Sequence, residues 1–182
     1  LQSAAQLNQS GNGSVDLVGV SAAGVGVDLS GGGWMQTGRG DWSVRGDSIS
    51  GQGVLVHGTG VSLTGAAFTS GSGGIRATSA LTVSGTLTLD AQGARADIEA
   101  LNPANSLTGL VVVPHAADLT LSNGGPLRLG QVNAQGDVRV TTHAGDLLLD
   151  GDVASGAGNV TLAAAIDAPP GTLGVDGNGD LR

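Results

Sequence analysis

Short runs of alternating hydrophobic and polar residues make up most of the chain from Gly13 onward. Each run is closed by Gly, Asn, Asp or Ser, and this pattern is typical of short β-strands. Residues 26–29 and 61–64 are examples, because alternation at period two sends successive side chains to opposite faces. Only residues 1–9 and 94–101 are compatible with a helix, and the second stretch fits a strand equally well.

A repeat of about twenty residues occupies the last third of the chain. Leu119, Val138 and Val160 hold equivalent positions in three successive copies, and each copy contains three short strands. Three strands and three turns in a repeat of this length form one rung of a β-helix, in which like strands pair about 4.8 Å apart. We therefore predict an all-β fold, a parallel β-helix, with right-handed winding because parallel crossovers are overwhelmingly right-handed.

Composition supports a narrow aliphatic core and excludes several kinds of protein. The 182 residues include 34 Gly, no Cys, two Trp and one Phe, whereas a β-sandwich usually contains more large rings. All seven cationic residues are Arg, against fifteen carboxylates, so a nucleic-acid partner is disfavoured. No apolar run approaches the length of a membrane span, and the lack of Cys fits an extracellular protein.

We expect one β-helical segment over residues 1–182. Residues 1–12 are predicted to lie outside the repeats, and residues 101–182 carry the clearest copies. Neither end shows an obvious polar cap, which indicates a fragment of a longer solenoid.

Residues 101–165 resemble a known family of exoproteins. The runs at 102–109, 117–121 and 127–140 are similar to the repeats of filamentous-haemagglutinin-type adhesins, which are exported by two-partner secretion, and to those of autotransporter passengers. The resemblance implies a structural or adhesive role at the bacterial surface or in the secreted state, and an outer-membrane secretion partner for the full-length chain. Asn-Pro-Ala-Asn at 102–105 departs from the Asn-Pro-Asn motifs of the family's secretion domain, so the resemblance places this chain in the shaft.

Two Arg-Gly-Asp triplets are candidate integrin-binding motifs. Such a ligand presents a guanidinium to one receptor subunit and a carboxylate to a metal ion in the other, with Gly setting the spacing in an exposed turn. The alternative is that Arg and Asp are ordinary solvated turn residues. The triplets are Arg39-Gly40-Asp41 and Arg45-Gly46-Asp47.

Trp34 and Trp42 lie beside these triplets and are the only Trp residues in the chain. Flat rings stack on sugars and anchor interfaces, so the pair is a candidate platform for a partner or a glycan. The alternative is a local plug that covers the flank of the solenoid.

The densest titratable group is His143, Asp146, Asp150 and Asp152. Since β-helices also include polysaccharide lyases and glycosidases, a carbohydrate-active enzyme is an alternative. Asp146 and Asp152 occupy ordinary turn positions of the repeat, and the chain has no Lys to serve as a base, so we expect no catalytic residues.

No metal site or cofactor is expected either. His57, His115 and His143 lack the short spacing of zinc ligands, and Asp176-Gly177-Asn178-Gly179-Asp180 lacks the rest of a calcium loop. The favoured function is a rigid shaft that presents binding loops to a host receptor or glycan, and the remaining alternative is a passive spacer.

Overall fold

The computed structural model describes residues 7–30, 34–58, 61–93 and 96–165, and the backbone of residues 173–175. Every regular element in these ranges is a β-strand. The first strands are β1 (Leu7–Gln9), β2 (Val15–Ser21), β3 (Val27–Leu29), β4 (Trp34–Gln36), β5 (Trp42–Ser48), β6 (Val54–Val56) and β7 (Val61–Leu63). Next come β8 (Ala66–Ser70), β9 (Ile75–Ala77), β10 (Leu81–Val83), β11 (Leu87–Ala91), β12 (Ile98–Ala100), β13 (Ser106–Leu107) and β14 (Leu110–Ala116). The last are β15 (Leu119–Asn123), β16 (Leu127–Ala134), β17 (Val138–Thr142), β18 (Leu147–Leu149), β19 (Val153–Ser155), β20 (Val160–Ala163) and β21 (Leu173–Val175).

These strands stack into three parallel sheets and confirm the predicted parallel β-helix. The first sheet has the order β1-β4-β7-β10-β13, and the third has the order β20-β17-β15-β12-β9-β6-β3. The second sheet has the order β2-β5-β8-β11-β14-β16-β18-β21, with β19 also paired to β16. All pairings among the described strands are parallel, so each rung satisfies the backbone groups of its neighbours.

The register of the third sheet matches the predicted repeat. Leu119 pairs with Val138, and Val138 pairs with Val160. Residues 94–101 contain β12 and no helix among their described residues, because Ile98 joins the stack between Ile75 and Leu119. Residues 7–9, which the sequence placed outside the repeats, form β1 and pair with β4.

Alternation within the strands builds the core. Inward positions are almost all Val, Leu, Ile or Ala, and burying each large aliphatic side chain contributes roughly 1.5–3 kcal/mol. The large ring of Trp42 fits in the interior beside a small residue, because Trp42 pairs with Ala66 in the next rung. In the same way Val44 pairs with Phe68.

A recurring hydroxyl closes the corner between the second and third sheets. The backbone N–H groups of Gly24, Gly51 and Gly158 donate to the hydroxyls of the Ser residues three positions earlier, at 2.8, 2.9 and 2.9 Å. The serine side chain therefore satisfies a turn amide that no neighbouring strand can reach. Ser70 begins the corresponding turn of another rung and reaches the carbonyl of Gly73, whose φ of 85° requires Gly.

Two buried Asn side chains stand in for strand neighbours where the first sheet ends. The N–H of Leu81 donates to Oδ1 of Asn105 at 2.8 Å, and the N–H of Leu107 donates to Oδ1 of Asn123 at 2.9 Å. Both Asn residues are buried. The rungs that follow β13 continue with the second and third sheets, which explains why the clearest repeats lie in the later part of the chain.

Candidate functional site

The first triplet lies in the connection between β4 and β5. The side chains of Arg39 and Asp41 are exposed, whereas Gly40 is buried between them. A Cβ atom at Gly40 would lie 1.8 Å from the carbonyl oxygen of Gly13 in the previous rung, so only Gly fits there. The connection is anchored by its backbone, because the N–H of Val15 donates to the Asp41 carbonyl at 2.9 Å.

The charged groups of this first triplet remain available. Within the described part of the chain, neither Arg39 nor Asp41 takes part in an ion pair. The first triplet therefore combines an anchored backbone with two exposed, oppositely charged side chains.

The second triplet lies inside strand β5 instead of a turn. Nε of Arg45 lies 3.4 Å from Oδ2 of Asp47, so the two side chains pair with each other. The other carboxylate oxygen of Asp47 accepts a hydrogen bond of 2.6 Å from the N–H of Gly71. The Asp47 side chain is only 19% exposed, and its carboxylate is therefore already occupied.

Both candidate platform residues are core groups. Trp34 and Trp42 are 3% and 1% exposed, and their rings meet edge to face with centroids 6.0 Å apart. The Trp42 indole N–H donates to Oε1 of Gln9 at 2.6 Å. Neither ring therefore presents a free face to a glycan or a partner.

A shallow groove adjoins the first triplet, and we call it the corner groove. It has a volume of about 590 Å³ and crosses three successive rungs at the corner between the first and second sheets. Residues 39–43 line one end, residues 64–67 the middle, and Thr86 and Thr88 the other end. The groove thus joins exposed charges to a wall of hydroxyl groups.

Reasoning from the sequence missed the hydroxyls of the corner groove. Thr64, Thr86 and Thr88 are outward residues of strands or turns, and such residues usually do no more than face solvent. A pentapeptide at rung spacing in which a hydroxyl residue precedes Gly, at residues 61–65 and 81–85, marks Thr64 but neither Thr86 nor Thr88.

The residues of the titratable group at 143–152 have local partners. Asp150 pairs with Arg128 at 2.6 Å, and Nε2 of His143 lies 2.9 Å from the hydroxyl of Ser122. The carbonyls of Asp146 and Asp152 accept backbone hydrogen bonds from β16, as expected for rung corners.

The other candidate ligands also have local partners. His57 pairs with Asp28 at 2.8 Å, and His115 pairs with Asp90 at 2.9 Å. Across the residues with described side chains, no three His, Cys, Asp or Glu residues converge on a metal position. Residues 176–180, which resemble part of a calcium loop, lie outside the described residues.

No helix in the described ranges has the length and apolar character to cross a membrane.

Comparison with known proteins identifies a repeat family. No curated protein and no solved structure matches the chain. The family described as repeats of unknown function (DUF5649) matches residues 48–114 and again residues 116–178, together more than half of the chain. Both matches fall on the β-helical rungs, and the first begins just after the second triplet. The chain therefore belongs to the DUF5649 family of repeats of unknown function.

Proposed function

We propose that the chain is a structural segment of a secreted bacterial surface adhesin, a β-helical shaft that presents the loop at residues 39–41 to a host-cell receptor. The observation that carries the proposal is that Arg39 and Asp41 are exposed, on a backbone anchored to a neighbouring rung, and form no ion pair with the residues that the structure describes. A ligand loop held in one conformation loses little entropy on binding.

The geometry of the loop suits a receptor that reads both charges. Arg39 and Asp41 are both exposed and flank the buried Gly40 in the connection between β4 and β5. Buried Gly40 keeps the loop close to the shaft without blocking either side chain.

The resemblance to filamentous-haemagglutinin-type repeats supports the location and export route. Under this proposal the full-length chain reaches the cell surface or the medium through an outer-membrane secretion partner. A stack of parallel rungs is a suitable shaft, because every rung stabilises the next and the turns tolerate binding loops. The proposal contains no catalytic step, since Asp150 is engaged by Arg128 and Asp146 and Asp152 occupy turns.

An attachment assay with an internal control tests the proposal. Plates coated with wild type, Asp41→Glu or Asp47→Glu are presented to integrin-bearing cells. The extra methylene in Asp41→Glu displaces the carboxylate from the receptor metal, so attachment should fall to the level of uncoated plates. Asp47→Glu should attach cells like wild type, because the second triplet is not presented to a receptor.

Two results would contradict this assignment. Equal attachment by all three proteins, at the level of uncoated plates, would identify the chain as a passive spacer. Equal loss in Asp41→Glu and Asp47→Glu, with both variants folded by circular dichroism, would show that the two triplets are equivalent.

A further inference from the structure

The corner groove contains a regular column of small outward side chains. Ser43 pairs with Ala67, and Ala67 pairs with Thr88, so the three lie side by side on successive rungs about 4.8 Å apart. Ala67 is the smallest of the three and forms the depression between the two hydroxyls. The two hydroxyl residues of the column are therefore two rung spacings apart, about 10 Å.

The hydroxyls of three threonines, Thr64, Thr86 and Thr88, line the groove. Thr64 donates from Oγ1 to the carbonyl of Gly38 at 3.2 Å, which leaves its oxygen lone pairs for a ligand donor. Thr86 and Thr88 supply further hydroxyls at the far end. Hydroxyl groups both donate and accept, so this wall complements a polyhydroxylated ligand.

The charged side chains that line the groove lie at one end only. Arg39 and Asp41 line that end, and their side chains form no ion pairs within the described ranges. The net charge of −8 repels polyanions at long range, whereas a single Arg can still bind one carboxylate through charge-assisted hydrogen bonds. The charge pattern thus favours a ligand with one acidic group over a highly charged polymer.

The sheet beneath the groove disfavours a peptide ligand. Strands β5, β8 and β11 are each paired on both sides, so they offer no free edge to an added strand. The apolar lining consists of Ala66, Ala67 and a largely buried Trp42, which leaves no apolar hole for an anchoring side chain.

We infer that the corner groove binds an oligosaccharide carrying one carboxylate, with Arg39 on the carboxylate and the hydroxyls of Thr64, Thr86 and Thr88 on the sugar rings. Asp41 accepts from a ligand hydroxyl at the same end. This inference rests on the proposed function in treating residues 39–41 as a binding loop, and it adds the ligand class and the groove.

Titration of the folded chain with sialyllactose and lactose, followed by ligand-observed NMR, tests the inference. The two sugars differ by one acidic residue. Sialyllactose should bind about tenfold more tightly, because the carboxylate adds a charge-assisted contact to Arg39. Arg39→Gln should remove that difference.

A matched pair of Gly variants locates the site. A Cβ atom at Gly65, in the middle of the groove, would meet only the Thr86 carbonyl oxygen at 3.6 Å, so Gly65→Leu fills the groove without forcing the backbone. A Cβ atom at Gly125 would meet nothing within 4 Å, and this residue lies in the turn between β15 and β16. Gly65→Leu should abolish binding of both sugars, and Gly125→Leu should leave it intact.

The inference is overturned if wild type binds sialyllactose no better than lactose, or if Gly65→Leu still binds both sugars. Equal loss in Gly65→Leu and Gly125→Leu would also overturn it, because the effect would not belong to the groove. Failure here is distinct from failure of the proposed function, because the sugar titration and Gly65→Leu report on the groove of the isolated chain, whereas the attachment assay reports on a receptor of the host cell.

Discussion

Two copies of the same three residues, six positions apart, have different surroundings in this fold. Arg39 and Asp41 are exposed in a connection and form no ion pair with any described residue, whereas Arg45 and Asp47 bind each other on a strand. Both central Gly residues are buried against the preceding or following rung, so Gly content does not distinguish the triplets. What distinguishes them is the neighbouring rung, which supplies Gly71 as a hydrogen-bond donor to Asp47.

The comparison shows that an Arg-Gly-Asp sequence is only as available as its position in the rung allows. Strand β5 lies between β2 and β8 in the second sheet, so its outward side chains have neighbours on both sides. Residues 37–41 connect two sheets, and the side chains of Arg39 and Asp41 reach solvent there. Three experiments that measure the free energy of unfolding of variants test this contrast.

Trp42→Ala should give the largest effect, because this ring lies between the two triplets and anchors both. The substitution removes a side chain that is 1% exposed and leaves a cavity beside Ala66, so the free energy of unfolding should fall by about 4 kcal/mol. Urea denaturation followed by circular dichroism measures it. Met35→Ala in the preceding strand is the control, since Met35 is half-exposed. Equal losses in both variants would contradict a core role for Trp42.

Asp47→Ala and Asp41→Ala compare the two carboxylates directly. Asp47→Ala removes the partner of Arg45 and the acceptor for the Gly71 N–H, so the free energy of unfolding should fall by about 1 kcal/mol. Asp41→Ala should change it by less than about 0.5 kcal/mol, because that side chain is exposed and lacks an ion pair. Denaturant midpoints of the two variants provide the measurement, and a reversed order would mean that the first carboxylate is the structural one.

The sequence predicted the repeating unit well because that unit depends on local alternation. Leu119, Val138 and Val160 were placed in register, and the structure pairs them directly. The sequence also contains a weaker sign that the second triplet lies in a strand. Trp42, Val44, Gly46 and Ser48 occupy alternate positions, and they are the inward residues of β5. The sequence pattern predicts a short strand at residues 42–44 with a turn at each triplet, whereas β5 continues through the second triplet.

Contacts between rungs were beyond sequence reasoning. The Gly71 donor lies 24 residues from Asp47, and Thr64 and Thr88 reach the corner groove from different rungs. Which residues become neighbours depends on the length of every intervening turn, and those lengths vary in the early rungs. The paired residues Leu7 and Trp34 are separated by more residues along the chain than the paired residues Val61 and Leu81.

Arg45→Gln should give the smallest effect and isolates the ion pair from the hydrogen bond. The Arg45 side chain is 60% exposed, so its pairing with Asp47 is screened by solvent and should contribute about 0.5 kcal/mol at low salt. At about 1 M salt the difference from wild type should disappear, because the Debye length shrinks to about 3 Å. Arg39→Gln is the matched control and should show no salt-dependent difference, since Arg39 has no ion pair in the described residues. Denaturation at both salt concentrations measures the effect, and identical behaviour of the two variants would show that the ion pair does not stabilise the second triplet.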